Sequence, residues 1–158
     1  MPVPASLTAL PKRADELRDL LVRWCHQNSG SGNLTGLAAM LDLLQAEFAR
    51  LPGAKAERVG LSATTAKALR VRVRPAAPLQ ILVSGHYDTV YPSDHPFQKC
   101  DQPGPDRLRG PGTADMKGGL VVMLAALQAF EKTPHAARIG YEILLGPDEE
   151  TGSQGTAP

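Results

Sequence analysis

The chain has 158 residues, 42% hydrophobic and 21% charged, with 17 Lys+Arg against 16 Asp+Glu. That describes one globular domain large enough to bury a real core. A net charge of +1 offers no basic excess for phosphate contacts, and 4% aromatic residues offer no stacking platform for bases, so no nucleic-acid partner is expected. No run of about 18 apolar residues occurs, so no membrane partner is expected either. The opening MPVPASLTALPKRADELRDLL lacks a charged-then-apolar leader pattern, which makes a cytoplasmic location the expectation. Cys25 and Cys100 match no C-x-x-C spacing and read as reduced thiols.

Leu17, Leu20, Leu21 and Trp24 recur at i, i+3, i+4 and i+7, the buried stripe of a helix. It should stop at the loop Asn28-Ser29-Gly30-Ser31-Gly32. That loop lacks the lysine and Ser/Thr of a P-loop, so it reads as a connector. Asn33 is placed to cap a second helix, whose stripe is Leu34, Leu37, Leu41, Leu44 and Phe48, ending at Leu51-Pro52-Gly53.

Strands are expected over 55–62 and 67–74. In the second, Leu69, Val71 and Val73 alternate with Arg70, Arg72 and Arg74, the period-two pattern of a half-solvated strand whose arginines form a wet face. Gln80-Ile81-Leu82-Val83-Ser84-Gly85 reads as a strand buried on both faces. The Pro-, Gly- and Asp-rich stretch 91–114 predicts a long loop with a small hairpin near Arg107-Leu108-Arg109. Lys117 to Leu127 is apolar nearly all round, as in a helix packed within a larger body. Thr133-Pro134-His135 breaks it, and Ile139 to Leu145 forms another strand. The order strand, loop, helix, strand implies a right-handed parallel crossover in an α/β sheet.

The informative polar residues gather just beyond the strand ends, where open α/β sheets bind ligands. In Gly85-His86-Tyr87-Asp88-Thr89, His86 and Asp88 stand at i and i+2 and point the same way. Asp88 is then placed to orient an imidazole that binds a metal, although a structural His–Asp hydrogen bond is an equal reading of H-x-D alone. In Gly110-Pro111-Gly112-Thr113-Ala114-Asp115-Met116-Lys117-Gly118-Gly119, Asp115 sits at a loop-to-helix junction. It is there either to bridge cations or to cap the helix. In Pro147-Asp148-Glu149-Glu150-Thr151-Gly152-Ser153, three adjacent acids follow a buried strand. They form either a solvated acidic loop or a site whose missing positive charge is metal. His86, Asp115 and Glu149 are spaced by 29 and then 34 residues. Mixed imidazole and carboxylate donors suit zinc, with cobalt and manganese as further options. His26, His95 and His135 read as histidines outside this group.

These three segments resemble the motifs of the dinuclear zinc peptidases and deacylases, the family of glutamate carboxypeptidase, acetylornithine deacetylase, succinyl-diaminopimelate desuccinylase and aminoacylase. The resemblance spans essentially the whole chain, with the motifs in the family's order. It implies the N-terminal portion, residues 1–158, of an α/β catalytic domain with a mixed, mostly parallel sheet flanked by helices, the lid and dimerisation domain being absent. It implies two Zn2+ per complete site (Co2+ or Mn2+ also suit), with His86, Asp115 and Glu150 as metal ligands. Asp115 would bridge the two ions, Asp88 would orient His86, and Glu149 would be the general base and later the general acid of amide hydrolysis. It also implies a cis peptide between Asp115 and Met116. The implied substrate is a small peptide or N-acyl amino acid, and a homodimer is the expectation for the complete protein. The late metal ligands of the family have no counterpart in residues 1–158. The competing reading is therefore a truncated, non-catalytic chain that binds metal weakly or is complemented in trans.

Overall fold

The computed structural model describes residues 5–156. The first four residues of the leader reading, Met1 to Pro4, and the terminal Ala157-Pro158 lie outside them.

A short helix α1 (Ala5–Thr8) and a 3-10 turn (Leu10–Arg13) lead into α2 (Ala14–His26), and α3 covers Leu34–Phe48. Asn33 caps α3 as its side chain predicts, its Oδ1 accepting from the Gly36 amide at 3.0 Å. Strands β1 (Lys55–Gly60), β2 (Lys67–Val73) and β3 (Leu79–His86) follow. Next come a small hairpin of β4 (Asp101–Gly104) with β5 (Arg107–Arg109), helix α4 (Lys117–Phe130) and strand β6 (Ile139–Gly146). The hairpin at 107–109 matches the sequence reading; α4 runs on to Phe130, and it is not enclosed all round as its composition anticipates, since Val122 is 68% exposed.

The main sheet runs β1-β2-β6-β3. β1/β2 and β2/β6 are antiparallel, and β6/β3 is parallel. The sheet is mixed, as expected, but only one of its three pairings is parallel, fewer than the reading "mostly parallel" anticipates. Leu69, Val71 and Val73 of β2 align with Leu145, Ile143 and Tyr141 of β6. These six are at most 2% exposed and form one core with Trp24, Leu37, Leu44, Phe48, Leu120 and Leu124 from the helices. Each such fully buried side chain contributes about 1.5–3 kcal/mol of transfer free energy.

β3 corrects the sequence reading. It is an edge strand, not one buried on both faces: Leu79 is 57% exposed, Ile81 50% and Leu82 66%. An apolar run identifies a strand but not its neighbours, and among the described residues nothing pairs with its outer edge. The arginine row of β2 also divides. Arg70 and Arg72 lie half exposed and pair with Glu142 and Glu57, whereas Arg74 turns inward at φ 49°. Its guanidinium makes a two-pronged contact with Glu131 (2.9 and 2.6 Å) over the Tyr141 ring.

The Arg74 hydrogen bonds, against the opposing effect of burial, hold the Glu131 carboxyl below the usual range. A depressed folded pKa adds stability that is present above the unfolded carboxylate pKa. It is lost as pH falls through the folded value. Glu131→Gln should therefore cost about 1.5–3 kcal/mol at neutral pH, measured by urea unfolding, and the gap from wild type should narrow as the pH falls toward 3. A pH-independent gap would show that the carboxylate charge is not what stabilises this corner.

Candidate metal centre

The parallel pairing of β3 with β6 builds the site. The register aligns His86 with Gly146, and the Tyr87 amide donates to the Gly146 carbonyl at 2.9 Å. Both chains therefore leave the sheet side by side. His86-Tyr87-Asp88 emerges from one strand, and the Glu149–Thr151 3-10 turn follows the other. The loop before α4 brings in Asp115 from a third direction.

His86 is 6% exposed. Its Nδ1 lies 3.2 Å from Asp88 Oδ1 and from the Asp88 carbonyl, and its Nε2 lies 3.0 Å from Asp115 Oδ1 and 3.7 Å from Glu149 Oε2. Both neighbours of Nδ1 only accept, so Nδ1 carries a hydrogen and Nε2 faces the carboxylates. His86, Glu149 and Glu150 each offer a donor atom within 4.8 Å of the others. Asp115 lies outside that threesome and meets it through its Oδ1, 3.0 Å from His86 Nε2. The Asp115 side chain is 73% exposed. The first residue pair of α4 has no side-chain cap, so Asp115 is not acting as a helix cap. The Asp115–Met116 peptide is cis, as the resemblance implies.

Asp88 is fully buried. Its Oδ1 accepts from His86 and from the Glu149 amide at 3.2 Å. Its Oδ2 accepts from the Glu150 amide at 3.1 Å and the Ser31 hydroxyl at 2.8 Å. Burial pushes its pKa up, but the hydrogen bonds from His86, Ser31 and the Glu150 amide outweigh it, and the carboxyl stays below its ordinary value. For Glu150 the balance tips the other way: burial first, then the nearby Asp115, Asp88 and Glu149 charges, raise its pKa. Crowded acids at a strand end are what a cation would relieve. Asp148 is the exception in its triplet. It is 7% exposed and accepts from the Gly155 amide and the Thr156 hydroxyl, so it folds the following turn and stays out of the cluster.

Three contributors were not visible in the sequence. The Asn28–Gly32 loop, read as a connector, supplies Ser31. Met116 places its sulfur under the site, accepting from the His86 amide at 3.2 Å. Lys117 is fully buried. Its ammonium donates to the Trp24 and Gln27 carbonyls at 3.1 and 2.9 Å, and its amide donates to the Gly112 carbonyl at 2.7 Å. Burial brings the ammonium down to about 8. Lys117 thereby ties the end of α2 to the loop that carries Asp115, and Gly112, at φ +74°, makes the turn. His26 and His135 are exposed and His95 is half-buried against Tyr91, and none of them belongs to the threesome.

Two cavities flank the cluster. One, of about 440 Å3, is lined by Leu82, His86, Met116, Leu144 and Glu149; the other, of about 350 Å3, by Tyr91, Phe97, Thr113, Asp115 and Glu150. A larger apolar groove of about 580 Å3 lies between α2, the hairpin and α4. It holds no histidine and no part of the cluster, so its size carries no catalytic meaning.

A buried imidazole thus stands beside exposed and half-buried carboxylates, with a cavity on either side, a donor set that could hold a metal ion. Residues 82–158 match the model of Peptidase family M20/M25/M40. Over 93 residues the chain is 33% identical to a probable succinyl-diaminopimelate desuccinylase of Staphylococcus epidermidis, covering 55% of this chain and 22% of that protein. Over 128 residues it is 27% identical to carboxypeptidase G2 of Pseudomonas sp., covering 81% and 31%. Among solved structures it superposes on human carnosine dipeptidase 1 with a TM-score of 0.78 at 20% identity, covering 98% of this chain and 37% of that one. An M20 family metallo-carboxypeptidase of Sulfolobus solfataricus gives 0.70 at 22% identity, covering 89% and 32%. Residues 82–158 thus resemble the M20/M25/M40 peptidases, and the fold of the chain is that of a part of these larger enzymes. The chain spans between a fifth and a third of the length of the curated relatives it matches.

His86 titrates unusually high without metal, raised to about 9, first by the Asp88 hydrogen bond and, against burial, by Asp115. A raised folded pKa stabilises the fold fully below the unfolded value near 6.5, and this is lost as pH rises through about 9. Asp88→Asn should lower the His86 pKa of the metal-free chain, read by NMR of the ring, and shrink that loss. An unchanged His86 titration would show that Asp88 does not control it.

Proposed function

We propose that these residues form the N-terminal half of the active site of a metal-dependent hydrolase of amide bonds, of the carboxypeptidase or N-acyl amino acid deacylase type. The observation that carries this reading is the convergence of His86, Asp115, Glu149 and Glu150 on one small volume at the ends of β3 and β6. The donor set fits a divalent cation: one imidazole nitrogen aimed at carboxylate oxygens, as borderline-soft zinc prefers.

In this reading His86, Asp115 and Glu150 would hold two Zn2+, His86 through its Nε2. When bound, the ions supply Lewis acidity at the scissile carbonyl and at the attacking water. Asp88 keeps the hydrogen on Nδ1 and leaves Nε2 free to ligate once its own proton is lost. Glu149, with a side chain 54% exposed, takes the proton of the attacking water and returns it to the leaving amine. The apolar walls of the 440 Å3 cavity, Leu82 and Leu144, suit the side chain or acyl group of a small peptide or N-acyl amino acid. The names of the relatives, a desuccinylase, a carboxypeptidase and a dipeptidase, support the same bond type. The activity is proposed for the complete protein, because the relatives are three to five times longer than the matched stretch; dimerisation belongs to that complete protein as well.

In the complete enzyme, Glu149→Gln should lower kcat by at least about 10²–10⁴-fold, the usual worth of a general base, with zinc content unchanged. His86→Ala should lower zinc occupancy, read by elemental analysis. Zinc loss in Glu149→Gln would make Glu149 a ligand, the role its place in the threesome allows. Retained turnover would remove it from proton transfer.

A further inference from the structure

We infer that Ser31 is a positioning residue for this site: its hydroxyl fixes the Asp88 carboxylate that orients His86 and holds the Glu149-Glu150 backbone. The inference rests on the metal-site reading above for its functional consequence and on geometry alone for the positioning.

Ser31 lies 57 residues before Asp88, and its Oγ reaches Asp88 Oδ2 at 2.8 Å, the shortest of the bonds that Asp88 accepts. A carboxylate with no solvent contact must have its lone pairs met, and it pivots if one donor is removed. The other donors to Asp88 are the site itself: the His86 ring and the amides of Glu149 and Glu150. Ser31 is the donor that comes from outside the three motif segments, so it sets the carboxylate plane independently of them.

The loop that carries Ser31 is built to hold it. The Thr89 amide donates to the Ser29 carbonyl at 2.9 Å and the Ser31 amide to the Thr89 carbonyl at 3.2 Å, so the loop runs as a bridge beside the strand exit. Asn28 locks it from the other side. Its Nδ2 donates to the Tyr91 carbonyl at 3.0 Å, and its Oδ1 accepts from the Gly30 amide at 3.1 Å. A Cβ at Gly30 would overlap the Tyr91 carbonyl oxygen, so only glycine permits this approach. Fixing the backbone on both sides of a single hydroxyl is how an oriented hydrogen bond is made rigid.

The test uses the 158-residue chain and two readouts. Amide hydrogen exchange of the metal-free chain should show the Glu149 and Glu150 amides exchanging about five- to tenfold faster in Ser31→Ala, with the β6 amides unchanged. Ser31→Thr, which keeps the hydroxyl, should restore the wild-type rates. A Co2+ titration followed by its visible spectrum should show Ser31→Ala binding about three- to tenfold more weakly, less than the 10–100-fold typical of losing a ligand's direct partner. Wild-type exchange rates at Glu149 and Glu150 in Ser31→Ala would overturn the inference, as would faster exchange spread evenly through β6. If the wild-type chain takes up no Co2+, the metal reading fails for this chain, and the exchange data still decide the positioning.

Discussion

A carboxylate with no access to water, Asp88, organises everything around it. Left unpaired, a buried charge of this kind costs several kcal/mol; here it is met by an imidazole, a hydroxyl and two backbone amides. Those donors come from three separate places in the chain. The carboxylate therefore does more than orient its neighbour two residues away: it pins the turn after β6 against the end of β3. The acids of that turn are held beside His86 because their own amides are spent on Asp88. A solvated acidic loop would have no such anchor.

The parallel register between β3 and β6 makes this junction achievable. Because His86 stands opposite Gly146, two strand ends deliver their polar residues at one level. α4 completes the crossover and carries Asp115 to the same edge. The core beneath is continuous from Trp24 to Leu145, so the edge is presented by a rigid base. Lys117 contributes by a different route, spending a buried ammonium on two carbonyls at the end of α2 and so coupling that helix to the Asp115 loop.

Much of this could be read from residue order. Alternation along β2, the helix stripes and the Asn33 cap reflect local periodicities, and they appear where expected. His86 and Asp88 meet because i and i+2 on an extended chain share a side. Contacts between distant segments were beyond that kind of reading. Nothing local marks Ser31 as the partner of Asp88 or Arg74 as the one arginine of its row to turn inward. β3 has the composition of a central strand yet lies at the edge, because apolarity records what a strand prefers and not which neighbour is present. Glu149 and Asp115 are likewise indistinguishable by residue type, and only geometry separates the one grouped with His86 and Glu150 from the one touching His86 alone.

If His86 and the carboxylates around it hold a divalent cation, as proposed, the ion can be located in crystals. Anomalous diffraction from crystals grown with zinc tests the proposal most directly. A peak is expected within about 2.0–2.2 Å of His86 Nε2 and of a carboxylate oxygen from Asp115, Glu149 or Glu150. Ordered crystals with full zinc in the mother liquor, and no peak bonded to His86, would contradict it.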